Sequence, residues 1–137
     1  MAKLKILNNK ISRIIQQTPI KFHNIKLYQA YNTLPLELLH NYQILLFVHD
    51  YVYHKEKLPT CIVFSTYFDE NKTVHNPNTR QTSDFDICTV HTERGNRMIE
   101  YKGSTLWDKL PKELHVKEIR SRQSFKDSFK QHLLQFN

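Results

Sequence analysis

Glycine is nearly absent from this chain: two in 137 residues, Gly95 and Gly103. Two glycines cannot build a Gly-rich phosphate loop, and neither a Walker lysine nor a nucleophile elbow is present. Cysteine is equally scarce. Cys61 and Cys88 stand 27 residues apart and form no Cys-x-x-Cys pair, which excludes a disulfide framework and predicts reduced, buried thiols in a cytosolic or nuclear protein. Long apolar runs are missing too. The longest, Ile44-Leu-Leu-Phe-Val48, is far too short to span a bilayer. Lysines at positions 3, 5 and 10 interrupt the N-terminus, so it does not read as a signal peptide. The first 36 residues hold six Lys/Arg and no acid.

What is present is basic and aromatic. The net charge is +7 with a pI near 9.4. Both ends are positive, whereas residues 37–101 hold six basic against nine acidic residues. Positive termini that meet in a fold would attract phosphate, and a nucleic-acid partner is the expectation over a merely solvated surface. At this length a single core buries about two-thirds of the unfolded surface. Without a repeat, a low-complexity tract or a convincing linker, residues 1–137 read as one domain.

The periodicity predicts mainly helix. Leu4, Leu7, Ile11, Ile14 and Ile15 make an amphipathic helix over residues 2–17, with Lys3, Lys5, Lys10 and Arg13 off the stripe and Pro19 as its stop. Its basic and apolar faces suit a phosphate backbone or a partner helix; a membrane anchor fits less well, because the apolar face lacks Trp and Phe. A short helix follows over residues 24–32 with Asn24 as N-cap. A long one starts at Pro35, with Leu36, Leu39, Tyr42, Leu46, His49 and Tyr53 on one face, and reads as the most buried element. His40, His49 and His54 lie on or near it; His49 and its neighbours have metal ligation as an alternative, but core-edge histidines are the expectation, since carboxylates and thiols are not gathered at ligand spacing. Residues 58–68 are a helix or an irregular strand, and residues 69–83 a polar loop.

Alternation over Phe85–His91 predicts a strand that pairs with Asn96–Tyr101 across a Thr92–Gly95 turn, Gly95 supplying a positive φ. A helical turn capped by Ser104 or Thr105 then runs to Pro111. Trp107 lies between Leu106 and Leu110 and reads as core, with base stacking the alternative. The last helix opens at Ser121 or Ser124 and sets Phe125, Phe129, His132, Leu133 and Phe136 on one stripe, with Lys126 and Lys130 outside it. The fold class is therefore mainly α with a small antiparallel β-hairpin, an α+β domain with amphipathic helices at both ends.

The acidic pairs Asp69/Glu70 and Asp84/Asp86 fall in or beside the polar loop and read as solvated charges or turn caps. Two-metal phosphoryl chemistry needs carboxylates gathered about ions roughly 4 Å apart. A small nuclease using Asp84, Asp86 and His91 is the weakest reading.

Several spaced blocks resemble one family. They are Leu4-Lys-Ile-Leu-Asn-Asn-Lys-Ile-Ser-Arg-Ile-Ile15, Leu34-Pro-Leu36, His75-Asn-Pro-Asn-Thr-Arg80, Gly95-Asn-Arg97, Tyr101-Lys-Gly103, Leu106-Trp-Asp-Lys-Leu-Pro111 and Ser124-Phe-Lys…His-Leu-Leu134. In order and spacing, from about residue 4 to 134, the chain resembles the C-terminal region, thumb side and beyond, of the reverse transcriptase polyproteins of non-LTR retrotransposons (LINE elements) of the jockey-like groups. In that family the whole protein is an RNA-directed DNA polymerase, usually with an N-terminal endonuclease. This chain lacks the Tyr/Phe-x-Asp-Asp polymerase signature, the endonuclease carboxylates and histidine, and the zinc knuckle of some members. The resemblance therefore implies a region that is not catalytic alone, needs no cofactor, and holds template RNA or nicked target DNA for the rest of the polyprotein.

For that task the candidate residues are basic: Lys3, Lys10 and Arg13 on the first helix; Arg80, Arg94, Arg97 and Lys102 in the middle; Lys126 and Lys130 on the last helix. Arginine suits phosphate because its planar fork makes paired hydrogen bonds. Arg80 and Arg97 have an alternative use in salt bridges to Asp84, Asp86 or Glu100. A structural or protein-interaction domain with no independent activity is the competing expectation.

Overall fold

The computed structural model describes residues 2–19, 24–63, 67–68, 84–87, 89–111 and 116–135. Its helices are α1 (Ala2–Ile15), α2 (Asn24–Ala30), α3 (Leu36–Tyr53), α4 (Thr60–Val63), α5 (Ile99–Asp108) and α6 (Arg122–Gln135), with short 3₁₀ turns at Lys55–Lys57, Gly95–Arg97 and Val116–Glu118. The mainly helical class stands. The chain divides into two compact units, one of residues 1–42 and 127–137 and the other of residues 43–126.

The first unit contains α1, α2, the start of α3 and the end of α6. Its helices stop without glycine. Gln17 and Asn32 both take φ near 50°, and each end closes with paired backbone bonds: Thr18 N–H to Arg13 C=O and Gln17 N–H to Ile14 C=O after α1, Thr33 N–H to Tyr28 C=O and Asn32 N–H to Gln29 C=O after α2. These are Schellman caps, with proline following shortly in both cases. Leu27 and Tyr28 of α2 are buried, and Tyr42 stacks on Phe129 at 5.9 Å with rings 8° from parallel.

α1 faces its own unit with its polar side. Asn8 donates to the Tyr28 hydroxyl at 3.2 Å, and that hydroxyl donates to Asn9. The Arg13 guanidinium donates to the Asn24 side chain. Lys5 pairs with Glu37 at 3.2 Å across an exposed surface. The apolar stripe read from the sequence lies on the opposite side, with Leu4, Leu7, Ile11, Ile14 and Ile15 all exposed.

The second unit is organised by aromatic rings. Phe68 meets Tyr51 at 5.2 Å and Phe85 at 5.4 Å; Phe85 meets Trp107, Trp107 meets Phe125 at 6.2 Å, and Phe125 stacks on His49 at 4.3 Å. Ile44, Leu45, Leu46, Val48, His49 and Tyr51 of α3 are all buried. Burial at successive positions means this part of α3 is covered all round, as expected for a helix in the middle of a core.

The hairpin is absent among the described residues, and the reason is local. The Thr92 hydroxyl accepts the Gly95 N–H at 3.1 Å, and Arg94 adopts helical angles. The chain therefore turns through Gly95–Arg97 as 3₁₀ helix and enters α5 at Ile99, consuming the residues meant for the second strand. Gly95 needs no positive φ. It is there for space, since a Cβ would sit 2.1 Å from Val90 Cγ1.

Ser104 and Thr105 are likewise not caps. They lie inside α5 and donate back to the Glu100 and Tyr101 carbonyls, each at 2.8 Å, which satisfies hydroxyls that would otherwise compete with the helix. Gly103 lets α5 approach closely: a Cβ would stand 2.7 Å from the Phe68 ring and 3.0 Å from Val48 Cγ2. Cys61 is exposed on α4 rather than buried. Cys88 and the polar loop at 69–83 lie outside the described residues.

Candidate nucleic-acid interface

The predicted basic residues fall in both units. On α1, Lys3 and Lys10 are exposed. Seven residues apart, they lie on one edge of the helix, two turns and roughly 10 Å from each other. Arg13 is half-buried and turned toward Asn24. Beside the end of α1, a cleft of about 410 Å³ is lined by Lys10, Arg13, Ile14, Gln17 and Thr18. Lys130, on α6, is half-buried.

In the second unit Arg94 and Arg97 occupy the 3₁₀ turn ahead of α5 and are exposed, Arg97 pairing with Glu93 at 2.6 Å. Its ion-pair partner is thus one helical turn back, not Asp84, Asp86 or Glu100. Both side chains of this pair are largely in solvent, where such a contact contributes about 0–1 kcal/mol and yields readily to a phosphate. Lys102 and Lys126 are half-buried on α5 and α6. Arg80 lies outside the described residues.

Charge is concentrated in the first unit. It holds seven Lys/Arg against only Glu37 and Asp127, a net +5 of the chain's +7. Glu37 is engaged by Lys5, and among the described residues neither Lys3 nor Lys10 forms an ion pair.

The histidines and carboxylates have other uses. His49 is fully buried and its Nε2 lies 2.7 Å from the Ile119 carbonyl; the His54 Nε2 lies 2.8 Å from the Arg120 carbonyl, and the Tyr53 hydroxyl donates to the Lys117 carbonyl. A carbonyl only accepts, so each of these imidazoles carries its proton on Nε2. The end of α3 thereby clasps the segment leading into α6. Burial holds the His49 pKa below the usual histidine value, against the opposing pull of the Ile119 hydrogen bond and of Asp50. The imidazole is neutral at pH 7, stacked and hydrogen-bonded. Among the described residues no group of three His, Cys, Asp or Glu is placed to hold a metal.

Asp84 is exposed, as expected of a solvated charge, but it also makes structural contacts. Its Oδ2 accepts the Trp107 indole N–H at 3.2 Å and the Lys117 ammonium at 2.7 Å, while Asp108 accepts the Asp84 backbone N–H at 3.1 Å. Burial pushes the Asp108 carboxyl above its usual range, opposed by that N–H and by Lys117. Asp84 and His91 are both exposed and Asp86 is half-buried. Trp107 is 3% exposed, so its ring is a core element and offers no face to a base. Sequence reasoning missed this clasp because its members lie 23 and 33 residues apart and make no local pattern.

No protein family, curated protein or solved structure matches the chain. Among the described residues, no helix is long and apolar enough to cross a membrane.

Proposed function

We propose that the chain binds nucleic acid as the thumb-side C-terminal portion of a LINE-type, RNA-directed DNA polymerase, steadying template RNA or nicked target DNA for a polymerase centre it does not itself contain. The observation that carries this reading is the charge of the first unit, a net +5 in which Lys3 and Lys10 stand exposed and without an ion-pair partner among the described residues. Arg94 and Arg97 add a second basic point on a turn. Phosphate neutralised by such side chains releases condensed counterions, giving binding that depends on charge more than on sequence. The setting would be intracellular, in nucleus or cytoplasm, with the rest of the polyprotein as partner and no cofactor in this region.

The test is fluorescence anisotropy with single-stranded RNA and with a nicked DNA duplex, each at two salt concentrations. The expected result is binding that falls steeply with salt and weakens by about tenfold when Lys3→Ala and Lys10→Ala are combined, or Arg94→Ala and Arg97→Ala. A flat salt response, or no binding at low salt, would refute it. The rival reading, a structural or protein-interaction domain without independent activity, has the exposed aliphatic stripe of α1 in its favour.

A further inference from the structure

α1 is turned inside out relative to an ordinary surface helix. Asn8, Asn9, Ser12 and Arg13 are half-buried, and Asn8, Asn9 and Arg13 bond to Tyr28 and Asn24 of its own unit. The aliphatic stripe is in solvent, with Leu4 51%, Leu7 52%, Ile11 46%, Ile14 75% and Ile15 75% exposed. A contiguous apolar row on the outside of a protein marks something that docks there. Its spacing is informative. Leu4, Leu7, Ile11 and Ile14 follow one another at steps of three, four and three, the a/d register of a two-helix seam. Lys3 and Lys10 occupy the flanking g positions of that register, Ile15 an e position, and α1 contains no acidic residue.

We infer that this stripe is the seam for an amphipathic helix of another protein, one that presents aliphatic residues at its own a and d positions and glutamate or aspartate beside them. Flanking charges decide which helices pair. A second copy of α1 brings only lysine to the margins of the seam, so self-pairing gains no opposite charge and, in antiparallel register, sets Lys3 against Lys10. An acidic partner meets both lysines in either orientation. The stripe is roughly 100° wide and holds no Trp, Tyr or Phe, a poorer match to a lipid interface than to one helix. Nucleic acid has no aliphatic ridge to offer it. The inference concerns the stripe, whereas the nucleic-acid reading concerns the lysines at its margin and the Arg94/Arg97 turn.

The experiment uses the full chain and defined probes. One is a synthetic helical peptide of about four heptads with Leu at a and d and Glu at e and g; a second is the same peptide with Lys in place of Glu. Titration should show saturable binding of the Glu peptide and at least about tenfold weaker binding of the Lys peptide. Leu7→Gln with Ile11→Gln should abolish binding while leaving helix content and RNA affinity unchanged, so that the stripe and the lysines are tested separately. Lys3→Glu with Lys10→Glu should reverse the preference between the peptides. The inference is overturned if both peptides bind alike, if binding survives Leu7→Gln/Ile11→Gln, or if neither peptide binds. It is equally overturned if phosphatidylserine-containing vesicles capture the protein in place of the peptide, or if sedimentation shows the chain pairing with itself through these residues.

Discussion

Helices α1 and α5 are both amphipathic and are used in opposite senses. α1 shows its aliphatic stripe to solvent and meets its neighbours through amides, a hydroxyl and a guanidinium. α5 buries Gly103, Ser104 and Trp107, a set in which only the tryptophan is strongly apolar. Hydrophobic periodicity identifies that a helix has two sides. It does not say which side the rest of the chain covers. In α5 the covered side is chosen by fit: Gly103 lets the backbone approach Phe68 and Val48, and the buried Trp107 ring is fixed by its N–H to Asp84. In α1 the polar side is drawn in by complementary hydrogen bonds on α2, at Tyr28 and Asn24.

The largest expected effect lies on the α5 side of this contrast. Trp107→Ala empties the centre of the ring chain and strips Asp84 of a donor, and should cost about 3–5 kcal/mol of unfolding free energy. Urea denaturation followed by far-UV circular dichroism measures it. A loss below about 1 kcal/mol would mean that the rings around Trp107 do not form the core described. Trp107→Phe separates packing from hydrogen bonding and should recover most of the loss.

Next in size is Gly103→Ala. In an isolated helix this change is favourable by about 1 kcal/mol. Here the added methyl would enter the Phe68 ring at 2.7 Å, and overpacking of this kind costs about 1–3 kcal/mol. A destabilising result in the same denaturation experiment supports close approach as the purpose of this glycine; a stabilising one would place α5 farther from Phe68 and break the comparison.

How much of this was legible beforehand follows from how local each signal is. The long helix after Pro35 and the last helix were plain, because their apolar residues recur at helical spacing and their starts carry recognisable chemistry. The Ser121 backbone carbonyl accepts the Phe125 N–H at 2.9 Å, the first helical bond of α6. Phe125 and Phe129 are buried as their stripe requires. The hairpin was misread because alternation over Phe85–His91 is a weak cue, outweighed by the Thr92 hydroxyl that starts a 3₁₀ turn. The positions of Lys3, Lys10, Arg94 and Arg97 on exposed surface agreed with their charge. Their grouping into two units, and the clasp of Asp84 with Trp107 and Lys117, depend on contacts between distant residues and leave no trace in spacing.

The smallest expected effect belongs to α1 and is the sharpest test of the contrast. In a helix packed in the usual sense, replacing Leu7 and Ile11 with glutamine would remove two core side chains and cost about 2–5 kcal/mol for each. On the observed face both are about half exposed, and glutamine matches leucine and exceeds isoleucine in helix propensity. The double variant Leu7→Gln/Ile11→Gln should therefore change the unfolding free energy by less than about 1 kcal/mol. By contrast, Tyr28→Phe, which removes the hydroxyl bonded to Asn8 and Asn9 on the other side of the same helix, should cost about 1–2 kcal/mol and loosen α1. If the order is reversed, the aliphatic stripe is the buried side, and α1 belongs with α5 instead of opposite it.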